Sequence, residues 1–236
     1  MRVLVACEFS GTVRDAFRAR GHFAMSCDLL ATETPGPHHL GDVRDILAGN
    51  PIDGAPWDLM VAHPPCTYLA ASGLHWNKRR PERAAQTEEA LEFVRVLLTA
   101  PIPRIALENP VGCISTRIRK PDQIVQPWQF GHAESKATCL WLTGLSPLEP
   151  TNVVEPEWYR NPDGTVYRDS GGSRYSATHF RPGRGKPRPV WENQTASGQN
   201  RLPPSADRWK LRSLTYPGLA RAMADQWGGV ASRVAA

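Results

Sequence analysis

Residues 2–17 read RVLVACEFSGTVRDAF, and the spacing of their apolar side chains changes partway along the stretch. Residues 2–7 form an apolar, β-branched run, which predicts a buried strand. Ser10-Gly11 ends that run, and the residues that follow have apolar side chains at helical spacing until Gly21. A buried strand that leads through a glycine turn into a helix predicts an α/β fold.

The rest of the chain repeats this alternation of strand and helix. Strands are predicted at 23–30, 57–62, 103–110 and 137–145, and helices at 80–100 and 216–228. A further segment at 39–47 has Asp42 at a strand end or turn. Because the connections are short, we expect a mostly parallel, Rossmann-like sheet with helices on both faces.

The composition is that of a globular protein with reduced thiols. The 236 residues are 41% hydrophobic, and no apolar stretch is long enough to span a membrane. Five cysteines lack the CxxC and Cys/His spacings of metal sites, and their odd number argues against a disulfide scaffold. We therefore expect a cytoplasmic protein with no bound metal and no membrane partner. The sequence sets no expectation for the oligomeric state.

The positive charge is concentrated in one segment. Residues 151–212 contain eleven Lys/Arg against six Asp/Glu, which equals the net charge of +5 of the whole chain. The segment is also rich in Pro, Gly, Asn and Ser, and aromatic side chains lie between the basic ones. This pattern is typical of a nucleic-acid-binding surface, and equally of a solvated, loop-rich insertion.

Unusual polar residues follow the predicted strands at their carboxyl ends. These positions hold Ser10-Gly11, Asp28, Asp42, Cys66 and Glu108. In a parallel sheet the carboxyl ends of the strands lie at one edge, where ligands bind. The sequence therefore predicts that these residues form a single site.

The first of these residues favour an adenosine-containing cofactor. The turn CEFSGT has one glycine and does not fit GxGxxG, so a dinucleotide clamp is poorly supported. Asp28 suits hydrogen bonds to ribose hydroxyls, and Asp42 is placed to accept from an exocyclic amine such as that of adenine. Either residue alone is also a common cap or turn residue. Together they favour a cofactor without a pyrophosphate, such as S-adenosylmethionine.

The loop HPPC at 63–66 and the strand end ENP at 108–110 predict the chemistry. Two prolines make the backbone before Cys66 rigid. No histidine is convincingly placed as a base for acyl transfer. A thiol paired with the carboxyl of Glu108 instead suits attack on C6 of a pyrimidine, with the carboxyl hydrogen-bonding or protonating N3. C5 then becomes a nucleophile that can accept a methyl group.

In their order, these motifs resemble the cytosine-C5 DNA methyltransferases. The matching elements are EFSG, Asp28, GDV, PPCTYLAASG and ENP. The stretches ESKATCLWLTGL at 134–145 and LRSLTYPGLARAMADQW at 211–227 are especially similar to the compact members encoded by bacteriophages. The resemblance covers about 1–145 and 212–228.

The resemblance implies an S-adenosylmethionine-dependent methyltransferase sheet in a catalytic core at 1–150. A small basic target-recognition-like segment follows at 151–212, and the helix in 213–236 returns to the core. Cys66 is implied as the covalent nucleophile and Glu108 as the partner of N3. The implied cofactor-binding residues are Phe9, Ser10, Gly11, Asp28, Leu29, Asp42, Val43, Pro64 and Thr215. The implied substrate-binding residues are Pro65, Asn109, Lys136, Arg181 and Arg184.

The resemblance further implies a DNA substrate whose target base is flipped out of the helix. A recognition segment of roughly 60 residues favours a short or weakly specific target. If a bacteriophage encodes the chain, the host cytoplasm is the expected location. We also expect a mobile lid in the stretch TYLAASGLHW that follows Cys66.

Several alternatives remain open. A pyrimidine in RNA or a free nucleotide would use the same Cys66 and Glu108, and a group other than methyl is possible at C5. Methyltransferases of exocyclic amines share the Pro-Pro loop but need an aromatic residue where Cys66 stands. A non-catalytic nucleic-acid-binding relative has no need of the four residues Cys66, Glu108, Asp28 and Asp42. An unrelated small-molecule activity on a Rossmann-like fold is the last alternative.

Overall fold

The structure of the chain is a computed structural model that describes residues 1–156, 158–168, 191, 193–194 and 200–229. Arg181 and Arg184, two predicted substrate contacts, lie outside these residues. The described chain divides into two units. The first comprises 1–125, 137–149 and the chain from Leu214 onward, and the second comprises the described parts of 126–136 and 150–213.

A seven-stranded sheet forms the centre of the first unit. Its strands are β1 (Arg2–Ala6), β2 (Phe23–Asp28), β3 (His38–Leu40), β4 (Leu59–Ala62), β5 (Ile105–Pro110), β6 (Gln123–Val125) and β7 (Thr138–Thr143). The order in the sheet is β3-β2-β1-β4-β5-β7-β6. The first five strands are parallel, and β7 is antiparallel to both of its neighbours.

Six α-helices accompany the strands within the described ranges. They are α1 (Thr12–Arg18), α2 (Ala71–Leu74), α3 (Pro81–Leu98), α4 (Ile114–Arg117), α5 (Arg208–Ser213) and α6 (Pro217–Gly228), and α5 belongs to the second unit. Short 3₁₀ turns occupy Val43–Ile46, His75–Lys78 and Pro127–Gln129. None of the helices in the described part of the chain is long and apolar enough to cross a membrane.

The predicted α/β sheet is confirmed, with two differences in detail. The segment 39–47 does not continue as a strand, because the carboxylate of Asp42 caps the 3₁₀ turn by accepting from the Arg44 backbone N–H. The short strand β6 carries only three residues, one of them buried, and offers too little apolar pattern to be read from sequence.

The core explains why the strands read as continuous apolar runs. Side chains from alternate positions of β1, β2, β4 and β5 form one buried cluster with Leu91, Val94 and Leu97 of α3. The intervening positions are buried as well, and α1 and α6 pack against each other beside them. Because both faces are covered by helices, neither face of the strands needs polar residues.

A fully buried arginine ties the first helix to the loop after β2. The guanidinium of Arg14 donates to Asp15, to the hydroxyls of Ser26 and Thr32, and to Thr34. Burying this charge is tolerable because its donors are paired. The Thr34 hydroxyl also donates to the Ser10 carbonyl. These bonds hold the loop after β2 against the turn at Gly11 that begins α1.

We predict that Arg14→Leu lowers the free energy of unfolding by about 3 kcal/mol, because it leaves the buried Ser26 hydroxyl and the partly exposed Asp15 carboxylate without this donor. The control Arg18→Leu removes a half-exposed arginine that faces the same Asp15 at 3.6 Å, and should change stability by less than about 0.5 kcal/mol. Urea unfolding followed by circular dichroism measures both. If the two variants lose the same free energy of unfolding, the buried network of Arg14 stabilises the fold no more than a surface ion pair does.

The second unit has its own set of internal contacts. The rings of Trp128 and Trp191 stack with centroids 5.7 Å apart. The side chain of Asn193 accepts from the Ser135 N–H and donates to the Ser135 carbonyl. Lys136, a predicted substrate contact, donates through Nζ to the carbonyl of Arg212 at 2.9 Å. Lys136 and Arg212 are both in this unit.

Candidate active site

The loop that carries Cys66 leaves the sheet at the carboxyl end of β4 and is held by the neighbouring strand β5. Ala62 pairs with Leu107 in the parallel ladder, so the chain after β4 leaves the sheet beside Glu108 and Asn109, which continue β5 and pair with β7. Nδ2 of Asn109 donates to the Pro64 carbonyl at 2.8 Å, and Nδ1 of His63 lies 3.1 Å from Oε2 of Glu108. The predicted nucleophile loop and the predicted acid are therefore linked by two side-chain contacts.

Asn109 is 1% exposed, and its amide nitrogen is engaged by the Pro64 carbonyl. In the structure this side chain fixes the loop. Direct contact of Asn109 with a substrate remains a prediction.

The backbone around Cys66 forms a turn that α3 supports from one side. The Cys66 carbonyl accepts from the N–H groups of Leu69 and Ala70 at 3.0 and 2.9 Å. The Arg83 guanidinium donates to the carbonyls of Thr67 and Gly73, and its carbon lies 4.9 Å from the centroid of the Tyr68 ring. In the stretch 67–76, where we expect a mobile lid, Ala71–Leu74 form α2 and a 3₁₀ turn follows at His75–Lys78.

Cys66 differs from the other cysteines in exposure. It is exposed, whereas Cys27, Cys113 and Cys139 are buried and Cys7 is half-buried. Burial raises the pKa of the thiols of Cys7, Cys113 and Cys139 above the usual range, and raises the pKa of Cys27 to about 12. A thiolate is the nucleophilic form of cysteine, so these four thiols are suited to packing and not to reaction.

A cavity of about 470 Å³ lies beside this loop in the first unit. Six residues predicted for cofactor or substrate line it, namely Asp28, Leu29, Asp42, Val43, Pro64 and Pro65. Its other lining residues are Cys7, Cys27, Gly41, Arg44, Tyr68, Gln86, Glu89, Ala90 and Phe93. The volume falls in the range of small-molecule sites.

The two aspartates of the cavity have opposite electrostatic surroundings. Burial raises the pKa of the Asp28 carboxyl, although one oxygen accepts from the Leu30 N–H at 2.9 Å. The side chain of Arg44 binds the Asp42 carboxylate and, by this hydrogen bonding, lowers its pKa. Leu29 between them is 76% exposed, which places an apolar surface at the mouth of the cavity.

The first turn does not line the cavity through the residues predicted for it. Phe9 is buried at 7% exposure, and Ser10 hydrogen-bonds Glu8 and Thr12. Gly11 has a φ of 76°, and a Cβ there would collide with the Thr34 hydroxyl, so glycine is needed for the fold of the turn. Thr215 lies in the half-buried link before α6 and is likewise outside the cavity lining.

Cys7 lines the cavity from this turn instead. Its φ of 59° is the left-handed conformation that glycine adopts most easily. A strained non-glycine residue at a cavity wall is typical of functional sites.

Sequence reasoning missed three supporting residues. Glu8 is 5% exposed and accepts from the N–H groups of Val13 and Arg14 at the start of α1. In the sequence, His63 is only a neighbour of the prolines, and Arg83 is only one residue of a predicted helix. Their roles depend on partners 5 to 45 residues away, so no local spacing points to them.

Potential metal ligands do not gather in this site. In the part of the chain that the structure describes, no group of three or more His, Cys, Asp or Glu side chains could hold a metal ion.

Comparison with known proteins found similar solved structures but no sequence relatives. No family model and no curated protein matches the chain. One similar solved structure is a protein from E. coli, provisionally described as a DNA modification methyltransferase encoded within a prophage. The match has a TM-score of 0.40 and 14% identity, and it covers 66% of this chain and 52% of that protein's chain. The chain thus spans about half the length of that protein, and a likeness of this degree carries no argument about function.

We predict that iodoacetamide alkylates Cys66 first in the native protein, because the other four thiols are buried or half-buried and have raised pKa values that favour the protonated form. Mass spectrometry of tryptic peptides should find one modified cysteine, and Cys66→Ser should remove that label. In urea all five cysteines should react. Native labelling of Cys27 or Cys139 at the rate of Cys66 would contradict this assignment.

Proposed function

We propose that the protein transfers a methyl group from S-adenosylmethionine to C5 of cytosine in DNA through a covalent adduct between Cys66 and C6. The observation that supports this most directly is that an exposed thiol and a shielded carboxyl lie on the chain at the carboxyl edge of two neighbouring strands. Cys66 follows β4, and Glu108, whose side chain is 14% exposed, lies near the carboxyl end of the neighbouring strand β5. An adenosine-sized cavity opens beside the same loop.

In this reaction the Cys66 thiolate attacks C6 and forms an S–C6 bond. The Glu108 carboxyl hydrogen-bonds or protonates N3, so that the ring can take up the electron pair, and C5 becomes nucleophilic. S-adenosylmethionine supplies an electrophilic methyl group. After C5 has gained that group, with the neutral thioether S-adenosylhomocysteine as the leaving group, solvent water takes the C5 proton. The C5–H electron pair forms the C5=C6 double bond, the S–C6 bond breaks, Cys66 leaves as a thiolate, and a proton held at N3 returns to Glu108.

The cavity residues fit S-adenosylmethionine by their chemistry. The Asp28 carboxylate can accept from ribose hydroxyls, and the exposed face of Leu29 can cover an adenine ring. The carboxylate of Asp42 is bound by Arg44, yet two carboxylate oxygens offer about four acceptor positions, which leaves capacity for an adenine amine. Pro64 and Pro65, in the loop that leads to Cys66, line the same cavity.

A polyanionic substrate is supported by two basic surfaces. In the first unit, Trp76 is 38% exposed, and the guanidinium carbons of Arg80 and Arg79 lie 5.0 and 5.8 Å from its ring centroid. Lys78 is exposed beside them. Guanidinium groups with an aromatic ring suit phosphates and stacked bases. The basic segment 151–212, which includes Arg181 and Arg184, is proposed as the second surface, with short or weak sequence specificity.

We predict that Asp28→Asn weakens S-adenosylmethionine binding by about 10-fold or more, since a charge-assisted hydrogen bond contributes about 1.5–3 kcal/mol. Isothermal titration calorimetry measures the affinity. Leu29→Ala is the control for lost packing at the same rim and should cost less. Unchanged affinity in Asp28→Asn would remove Asp28 from the cofactor site.

The same variant should not lower stability at pH 7. Burial raises the native pKa of Asp28, so the native state holds this proton to a higher pH than the unfolded chain does. The contribution of Asp28 to the free energy of unfolding is fully present below the pKa that Asp28 has in the unfolded chain. This contribution is lost as the pH rises through the native pKa. At pH 7 the native state therefore bears the free energy of ionising a partly buried carboxyl, and a neutral Asn side chain removes that cost. Thermal unfolding at pH 7 should therefore give an equal or higher Tm, and a lower Tm would contradict this balance.

The covalent step is tested with an oligonucleotide that contains 5-fluorocytosine, because fluorine at C5 blocks release of the enzyme. Wild-type protein with S-adenosylmethionine should form an adduct that resists denaturation and carries the methyl group. Cys66→Ser should abolish it, and the control Cys113→Ser should retain it, since Cys113 is buried. Glu108→Gln should slow adduct formation by about 100-fold, the lower range for general acid catalysis.

Separate arms with duplex DNA, single-stranded DNA, RNA and free cytidine nucleotide identify the substrate. An adduct with RNA or nucleotide but not with DNA would replace DNA as the substrate. Absence of an adduct in all arms would contradict the proposed function.

A further inference from the structure

The contact between His63 and Glu108 is not used in the reaction as proposed. His63 is the first residue after β4, and its backbone N–H donates to the Ala6 carbonyl at 2.9 Å. Its side chain is 9% exposed and that of Glu108 is 14% exposed. Nδ1 of the ring lies 3.1 Å from Oε2 of the carboxyl. A shielded imidazole thus contacts the proposed N3 partner directly.

Stability alone does not account for a histidine at this position. Among the described residues, Nε2 of His63 is buried and has no hydrogen-bond partner. Leaving a buried polar atom without a partner costs about 1–3 kcal/mol, whereas an apolar side chain of similar size would fill the space without that cost. The contact of the other ring nitrogen, Nδ1, with the Glu108 carboxyl gives a reason for a histidine at this position.

We propose that His63 is a positioning residue that holds the Glu108 carboxyl in the orientation needed at N3 of the target base. The inference rests on the proposed function. Nδ1–H donates to Oε2, which fixes the plane of the carboxyl at the end of a side chain with several rotatable bonds. The backbone of His63 is itself fixed by its bond to Ala6, and the next residue, Pro64, is bound by Asn109. The same short segment therefore positions the acid and begins the loop of Cys66.

A misplacement of about 1 Å can cost about 100-fold in rate, so the effect of losing this contact is measurable. We expect His63→Leu to slow adduct formation with the 5-fluorocytosine oligonucleotide by about 10- to 100-fold. The affinity for S-adenosylmethionine should stay within about 2-fold, because His63 does not line the cavity. His63→Asn should restore most of the rate, since the Asn amide nitrogen can donate from near the position of Nδ1. His63→Gln places its nitrogen farther out and should not.

A double-mutant cycle with Glu108→Gln tests whether His63 acts through Glu108. If it does, His63→Leu should slow the Glu108→Gln protein by less than about 2-fold, because the two losses are not additive. The matched control is His22→Leu. His22 also has a buried Nε2 without a partner among the described residues, and it packs against Phe17 away from the site. This variant should react at the wild-type rate.

The outcomes separate the two proposals. Failure of the wild-type protein to form any adduct overturns the proposed function. A wild-type protein that reacts, together with His63→Leu at the same rate, overturns only the role of His63. If the effects of His63→Leu and Glu108→Gln on the rate are fully additive in the double variant, the role of His63 is likewise overturned. If His63→Leu does not fold, the Asn and Gln variants decide, and equal rates for these two variants overturn the inference.

Discussion

The site depends on the parallel pairing of β4 with β5. This pairing brings the end of one strand, with His63 and Pro64, beside the end of the other, with Glu108 and Asn109. Two side-chain contacts then fix the segment that leads to Cys66. Neither strand alone could place a thiol and a carboxyl together, because each supplies only one of them. The geometry of the sheet is therefore the condition for the chemistry.

The site carries features that stability would not select. Cys7, which is half-buried, has a left-handed backbone conformation, and burial raises the pKa of the Asp28 carboxyl in the same cavity wall. The imidazole of His63 has a nitrogen without a partner among the described residues. Each feature costs free energy, and all lie at the carboxyl edge of the sheet. The buried network around Arg14 and the apolar cluster under α3 offset these costs in the same unit.

Local patterns predicted the parts of the site that depend on one segment. The apolar runs located the strands, and the Pro-Pro-Cys sequence located an exposed loop around Cys66. Six residues predicted for ligand binding do line one cavity. Phe9, Ser10 and Gly11 do not, because Phe9 is buried, Ser10 hydrogen-bonds Glu8 and Gly11 lies against Thr34. Thr215, in the link before α6, does not line the cavity either. Arg83 and His63 act across long sequence separations, which a motif does not encode.

The sequence alone determined most of the strands, though not β6, and the polar residues that follow them, because apolar periodicity and chain-breaking residues act locally. Only the tertiary structure decided which strand ends are neighbours, that β7 is antiparallel, and that Glu108 meets His63. It also decided that four cysteines are buried or half-buried while Cys66 is exposed. The reason is physical: burial, hydrogen-bond partners and thiol reactivity depend on groups brought together through space, and these groups are distant along the chain.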